Sequence, residues 1–161
     1  MLVIGTNALF CYEATAGVRI EQEHLTTEDL DILWDNRKRL TLATREKLRP
    51  SGLLGILKTV DKSFELKSAT ELYTAVNKEG YQVDLLRREG PGSDREPERL
   101  SKHDEAFWAV KARNVDWLLS APKFQSVIVG ANGNMAQMTT VPPALSYFSR
   151  CGCRHKKTEP L

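Results

Sequence analysis

The stretch TEDLDILW, residues 27–34, decides the fold expected for this chain. Apolar and acidic residues alternate along it, which is the period of a β-strand with one apolar face and one acidic face. Asp29 and Asp31 lie on the acidic face. Aspartate is disfavoured in strands, and two adjacent carboxylates repel each other unless a cation lies between them. We therefore interpret this segment as a strand that carries a functional acidic pair.

A second acidic strand follows later in the chain. Residues 72–76 and 81–86 flank the turn sequence NKEG, in which Gly80 gives the backbone freedom that a hairpin needs. Asp84 lies in the second of these strands, between two apolar residues. Its carboxylate is either a third member of the acidic group or a buried structural group paired with an arginine.

These carboxylates indicate a metal site. Carboxylate oxygens are natural ligands of Mg²⁺ and Mn²⁺, and two such ions can stabilise both the attacking and the leaving oxygen in phosphoryl transfer. We predict that Asp29 and Asp31 bridge the metals and that Asp84 helps to deprotonate an acceptor hydroxyl. An acidic pair alone is equally typical of a solvated strand face, so the prediction depends on the combination with Asp84 and with the N-terminal segment.

The N-terminal segment predicts a phosphate-binding turn. The apolar run Leu2-Val3-Ile4 reads as a strand that stops at Gly5, and a helix is expected over residues 6–16, with Gly17 ending it. A glycine between a strand and a helix lets the backbone approach a phosphate, and the helix N-terminus favours an anion. We predict that Gly5, Thr6 and Asn7 bind nucleotide phosphates.

The rest of the pattern predicts one α+β domain with a mixed sheet flanked by helices. The spacing of apolar residues predicts a helix over residues 107–119. Residues 126–129 and 135–141 flank a glycine-rich turn and predict an additional C-terminal hairpin. We place the domain at residues 1–141. Residues 142–161 begin with two prolines and are basic, which predicts a poorly ordered tail.

Composition sets further bounds. The chain has 161 residues and a formal net charge of +2, so it has no general attraction for nucleic acid or for anionic membranes. No apolar run approaches the ~18 residues of a membrane-spanning helix, and the N-terminus lacks the features of a signal peptide. Three cysteines argue against a disulfide framework. We expect a cytoplasmic protein that does not contact a membrane.

At these residues the sequence resembles the nucleotidyltransferase superfamily, whose fold is that of DNA polymerase beta. The resemblance rests on Ile4-Gly5-Thr6, on Asp29-Leu30-Asp31 and on Asp84. Over roughly residues 2–141 the chain is similar to a bacterial group of uncharacterised proteins with this fold. Thr6 departs from the usual Gly or Ser, and the gap between Gly5 and Asp29 is longer than usual. Members of that group begin further upstream and continue past the hairpin, so we expect a fragment or a frameshifted chain.

The resemblance implies a function. It implies transfer of a nucleoside monophosphate from an NTP to a hydroxyl, with Mg²⁺ or Mn²⁺ as cofactor. The acceptor is open between a protein, a tRNA and a small molecule, and the oligomeric state is open as well. The alternative is a catalytically inactive module that retains the fold, serving in nucleotide binding, in regulation, or as a component of a toxin–antitoxin or defence system.

Overall fold

The structure is a computed structural model that describes residues 1–25, 27–35, 52–90, 98–99, 107–112 and 115–146. The described part holds one seven-stranded sheet, several helices and a separate two-stranded hairpin. The strands of the large sheet are β1 (Leu2–Ile4), β2 (Asp29–Trp34), β3 (Glu65–Leu66), β4 (Thr74–Val76), β5 (Gln82–Arg88), β6 (Glu98–Arg99) and β7 (Trp108–Ala112).

The large sheet is mixed, and its centre is the parallel pair β2 and β5. Strand β1 runs antiparallel to β2 on one side. On the other side, β4 pairs antiparallel with the first half of β5, and β7 pairs parallel with its second half. Strands β3 and β6 extend these two arms as antiparallel neighbours of β4 and β7. The predicted mixed sheet is thereby confirmed.

The helices cover both faces of the sheet. They are α1 (Ala8–Ala16), α2 (Gln22–Leu25), α3 (Gly52–Val60) and α4 (Asp116–Ser120), and the hairpin consists of β8 (Phe124–Val129) and β9 (Met135–Thr140). Helix α1 ends where Gly17 adopts a left-handed conformation, as the sequence predicts. The predicted C-terminal hairpin is confirmed as well. Of the described helices, none has the length and hydropathy needed to cross a lipid bilayer.

Two apolar clusters lie on opposite faces of the sheet. The first is centred on Trp34, Val83 and Leu85 and is covered by leucines of α3. The second is built around Leu2 and Leu33 of the strands and Leu118 of α4. Because side chains alternate along a strand, the even-numbered residues of β2 supply the first cluster, while Leu33 supplies the second. The second cluster shares its face with Asp29 and Asp31.

The hairpin of β8 and β9 packs against α1. The Tyr12 hydroxyl donates a hydrogen bond to the carbonyl of Val141 at 2.7 Å, and its ring meets that of Phe124 edge to face at 5.5 Å. Cys11 is fully buried beside Met138, and burial raises the pKa of its thiol. The hairpin therefore fixes the helix that follows the Gly5 turn.

The predicted helix over residues 107–119 is wrong. Residues 108–112 form β7, and only residues 116–120 are helical. The buried residues Phe107 and Ala109 alternate with more exposed neighbours, and the backbone N–H of Trp108 bonds to the Leu72 carbonyl at 3.0 Å. Apolar spacing over so short a run fits either element, and pairing with β5 decides in favour of the strand.

The predicted boundary near residue 142 stays a prediction. Residues 142–146 are described, and Leu145 packs against the second cluster. Residues 147–161, the greater part of the predicted tail, lie outside the described residues.

Candidate active site

The structure brings the three predicted carboxylates to one face of two adjacent strands. In the parallel register, Asp31 of β2 is the direct partner of Asp84 in β5, and Asp29 is the partner of Gln82. Paired strands lie about 4.8 Å apart, and residues two apart in one strand are separated by roughly 6.6 Å. The three side chains therefore start from neighbouring points of the same surface.

Asp31 lies at the centre of this group, where burial and the two neighbouring carboxylates disfavour its ionised form. Burial raises the pKa of Asp31 to about 6, and the charges of Asp29 and Asp84 act in the same direction. No hydrogen bond to the Asp31 carboxylate exists within the described part of the chain to offset this. A positive charge bound at this point would relieve both the desolvation and the repulsion.

The two outer carboxylates each accept a hydrogen bond from a threonine. Thr27 donates its hydroxyl proton to Asp29 Oδ1. Thr74, which is buried in β4 directly opposite Asp84, donates to Asp84 Oδ1 at 2.5 Å. Neither threonine was anticipated from the sequence. A signal for Thr74 existed in the hairpin, because the register of its two strands determines which residue faces Asp84.

Within the described part of the chain, the structure does not pair Asp84 with an arginine. Arg87 is three residues further along β5 and therefore points to the opposite face. It is fully buried there, and its Nε lies 3.5 Å from a carboxylate oxygen of Glu98. Asp84 shares its face with the other two aspartates instead, so the acidic group is not neutralised by this arginine.

The turn at Gly5 meets the acidic face directly. Ile4 pairs with Asp31 across β1 and β2, so the turn begins beside that carboxylate. Gly5 has φ +71°, and a Cβ added there would lie 2.7 Å from Asp31 Oδ2. The left-handed backbone favours glycine, and a Cβ at this position would displace the Asp31 carboxylate. The end of β1, where the sequence predicts phosphate binding, thus adjoins the predicted metal ligands.

Asn7 links the turn to the strands. It is the N-cap residue of α1 but makes no side-chain capping bond; its Nδ2 donates to the Asp29 carbonyl at 2.6 Å. Its side chain also bonds to Tyr81, whose pKa burial raises. The backbone N–H groups of residues 8–10 bond back to the carbonyls of residues 5–7 at 3.0 to 3.4 Å. These three N–H groups therefore already have hydrogen-bond partners within the turn. Contacts with a phosphate would have to come from residues 5–7.

A second acidic group was not anticipated from the sequence. Among the described residues, ligand atoms of three acidic or histidine side chains lie within 4.8 Å of one another at Glu21, Glu23 and His24. All three are exposed, and His24 lies 3.8 and 3.9 Å from the two glutamates. The oxygens of the three aspartates spread wider than this limit.

The fold is of the nucleotidyltransferase-like α+β class. The family model described as Nucleotidyltransferase matches residues 1–149, and the chain belongs to this family. No curated protein and no solved structure matches the chain. The family transfers nucleotides from NTPs and generally uses divalent metal. The candidate site lies within the matched range.

The contact at Gly5 is testable against Gly17, which also has a positive φ but where an added Cβ would meet nothing within 4 Å. We expect Gly17→Ala to lower the free energy of unfolding by about 1 kcal/mol, because an alanine is strained in the left-handed region. Gly5→Ala carries the same strain and also displaces the Asp31 carboxylate. It should be the more destabilising of the two in urea unfolding. Equal losses for the two variants would contradict the close approach at Gly5.

The raised pKa of Asp31 predicts that the stability of the protein depends on pH in metal-free buffer. The pKa of Asp31 is about 6 in the folded protein, against 3.8 for an ordinary aspartate. The folded state therefore holds more protons between these values, so stability falls as pH rises from about 4 to about 6. Asp31→Asn should remove this slope. In carbon-detected NMR, the titration midpoint of Asp31 should lie near 6. Asp29→Asn should lower this midpoint, because it removes one of the neighbouring negative charges. A wild-type midpoint near the ordinary aspartate value would contradict the prediction.

Proposed function

We propose that this protein is a metal-dependent nucleotidyltransferase that transfers a nucleoside monophosphate from an NTP to a hydroxyl group. The observation that carries the proposal is that Asp29, Asp31 and Asp84 lie on one face of the adjacent strands β2 and β5, beside the Gly5 turn. Asp29, Asp31 and Asp84 are the proposed catalytic and metal-binding residues. Gly5, Thr6 and Asn7 are the proposed phosphate-binding residues.

The donor set fits Mg²⁺ or Mn²⁺. All three proposed ligands are carboxylates, which these hard cations prefer. Burial, followed by the charges of Asp29 and Asp84, raises the pKa of Asp31 at the centre of the group, and a bound cation would offset both effects. Asp31 shares its face with both other aspartates, so the three residues together would hold the metal. Bound metal would supply Lewis-acid stabilisation of the phosphate oxygens and of the acceptor alkoxide.

The residues of the chain then have distinct parts in the reaction. The acceptor hydroxyl oxygen forms a bond to the α-phosphorus while the bond from that phosphorus to the bridging oxygen breaks, and pyrophosphate leaves. Asp84 accepts the proton of the acceptor hydroxyl on a carboxylate oxygen. Its hydrogen bond from Thr74 keeps the other oxygen occupied. Orientation of these groups supplies much of the rate, because phosphoryl transfer depends mainly on positioning and charge.

The Gly5 turn is the proposed place for the triphosphate. The absence of a Cβ at Gly5 lets the Asp31 carboxylate lie directly against the turn, so phosphate bound at the turn would be close to the proposed metal ligands. Asn7 holds this turn against β2 through the Asp29 carbonyl, so the turn is anchored to the strand that carries the ligands. The Thr6 hydroxyl offers a further hydrogen-bond donor.

The alternative is a member of the family that binds nucleotide without turnover. Thr6 motivates it, because its methyl group adds bulk where the superfamily has Gly or Ser. Such a module would act in regulation or as a component of a toxin–antitoxin or defence system. Metal-dependent nucleotide binding without pyrophosphate release would support this alternative over the enzyme.

Isothermal titration of ATP and the other NTPs, with Mg²⁺ or with EDTA, tests the proposal. We expect binding by the wild type only with metal, and Asp31→Asn should weaken it about tenfold or more, since metal affinity depends on each ligand and its surroundings. Glu28→Gln is the matched control, because Glu28 is an exposed carboxylate that directly precedes Asp29 but lies outside β2 and outside the proposed ligand set. It should bind like the wild type.

Two results would contradict the proposal. One is the absence of NTP binding by a folded wild type in Mg²⁺. The other is metal-dependent binding that Asp31→Asn and Asp84→Asn leave unchanged.

A further inference from the structure

Thr74 lies beside Asp84 in the sheet and donates a hydrogen bond to its carboxylate. The two residues are direct partners across the antiparallel pair β4 and β5. The Thr74 side chain is 3% exposed, and its hydroxyl donates to Asp84 Oδ1 at 2.5 Å. Within the described part of the chain, this is the hydrogen bond that the Asp84 carboxylate accepts.

The backbone of Thr74 is fixed on two sides. Its carbonyl accepts a hydrogen bond from the N–H of Lys67 at 3.0 Å, and its own N–H donates to the Glu71 carbonyl at 3.4 Å. A β-branched side chain also has few rotamers in a strand. The hydroxyl oxygen of Thr74 is consequently a fixed point, whereas the Asp84 side chain can rotate about two bonds.

We propose that Thr74 is a positioning residue that holds Asp84 Oδ1 and thereby directs Oδ2 to the metal and the acceptor. The proposal rests on the proposed function of the three aspartates. Without the hydroxyl, repulsion from Asp31 would favour rotamers that turn the Asp84 carboxylate away. The hydrogen bond opposes this rotation before any ligand binds. Partners of metal ligands in the surrounding structure commonly change metal affinity about 10- to 100-fold when removed.

The test is a titration of the protein with Mn²⁺ alone, in which electron paramagnetic resonance measures the concentration of the free ion. We expect Thr74→Val, which removes the hydroxyl and keeps the shape, to weaken Mn²⁺ binding about tenfold. Thr74→Ser keeps the hydroxyl and should bind within about twofold of the wild type. Thermal unfolding in EDTA shows whether each variant is folded.

Thr140 provides a matched control. It is also fully buried in a strand, but its hydroxyl has no hydrogen-bond partner in the described part of the chain. Thr140→Val should leave Mn²⁺ affinity unchanged. Should Thr74→Val fail to fold, Thr74→Ala compared with Thr74→Ser gives the same test, because that pair differs by one oxygen atom.

The outcomes separate this inference from the proposed function. If the folded wild type binds no Mn²⁺, or if Asp84→Asn binds as tightly as the wild type, the proposed function fails. If Mn²⁺ binding depends on Asp84 but Thr74→Val binds like the wild type, the positioning role of Thr74 is overturned while the function stands. An equal loss of Mn²⁺ affinity in Thr74→Val and Thr74→Ser would also overturn it. The same holds if Thr140→Val loses as much affinity as Thr74→Val.

Discussion

The parallel pairing of β2 with β5 is the constraint on which the site depends. It places Asp31 beside Asp84 and keeps Asp29 on the same face. A shift of one residue in this register would move Asp84 to the face covered by α3, because strand side chains alternate. The pairing is held by Val83 and Leu85 of β5, which are buried against that helix. The apolar core on one face thus determines where the proposed metal ligands lie on the other.

The face of the sheet that carries the aspartates has an acidic half and an apolar half. Its acidic half carries Asp29, Asp31 and Asp84, and burial together with like charge makes that half unfavourable for folding. Its apolar half, with Leu33 and Leu86, packs against α4 and the end of the hairpin. Buried apolar area contributes about 25 cal/mol per Å², so the packed half can offset the electrostatic cost of its neighbour.

Much of the fold could be predicted from the sequence. The alternation of TEDLDILW predicts β2, and the Asn-Lys-Glu-Gly turn predicts the hairpin of β4 and β5. The segment from Phe107 onward could not be assigned, since its apolar spacing fits two elements and only pairing with β5 selects the strand. Residue types indicated the aspartates and Gly5. The hydroxyl partner of Asp84 is a consequence of register, which composition does not show.

The decisive measurement is anomalous diffraction at a manganese-sensitive wavelength. It would use crystals of the protein with Mn²⁺ and an NTP analogue that resists cleavage after the α-phosphate. We predict an anomalous peak within about 2.5 Å of an Asp31 oxygen and of an oxygen from Asp29 or Asp84, with analogue phosphate on the same ion. A peak confined to the exposed group of Glu21, Glu23 and His24, with the aspartates bare, would contradict the assignment of the metal site.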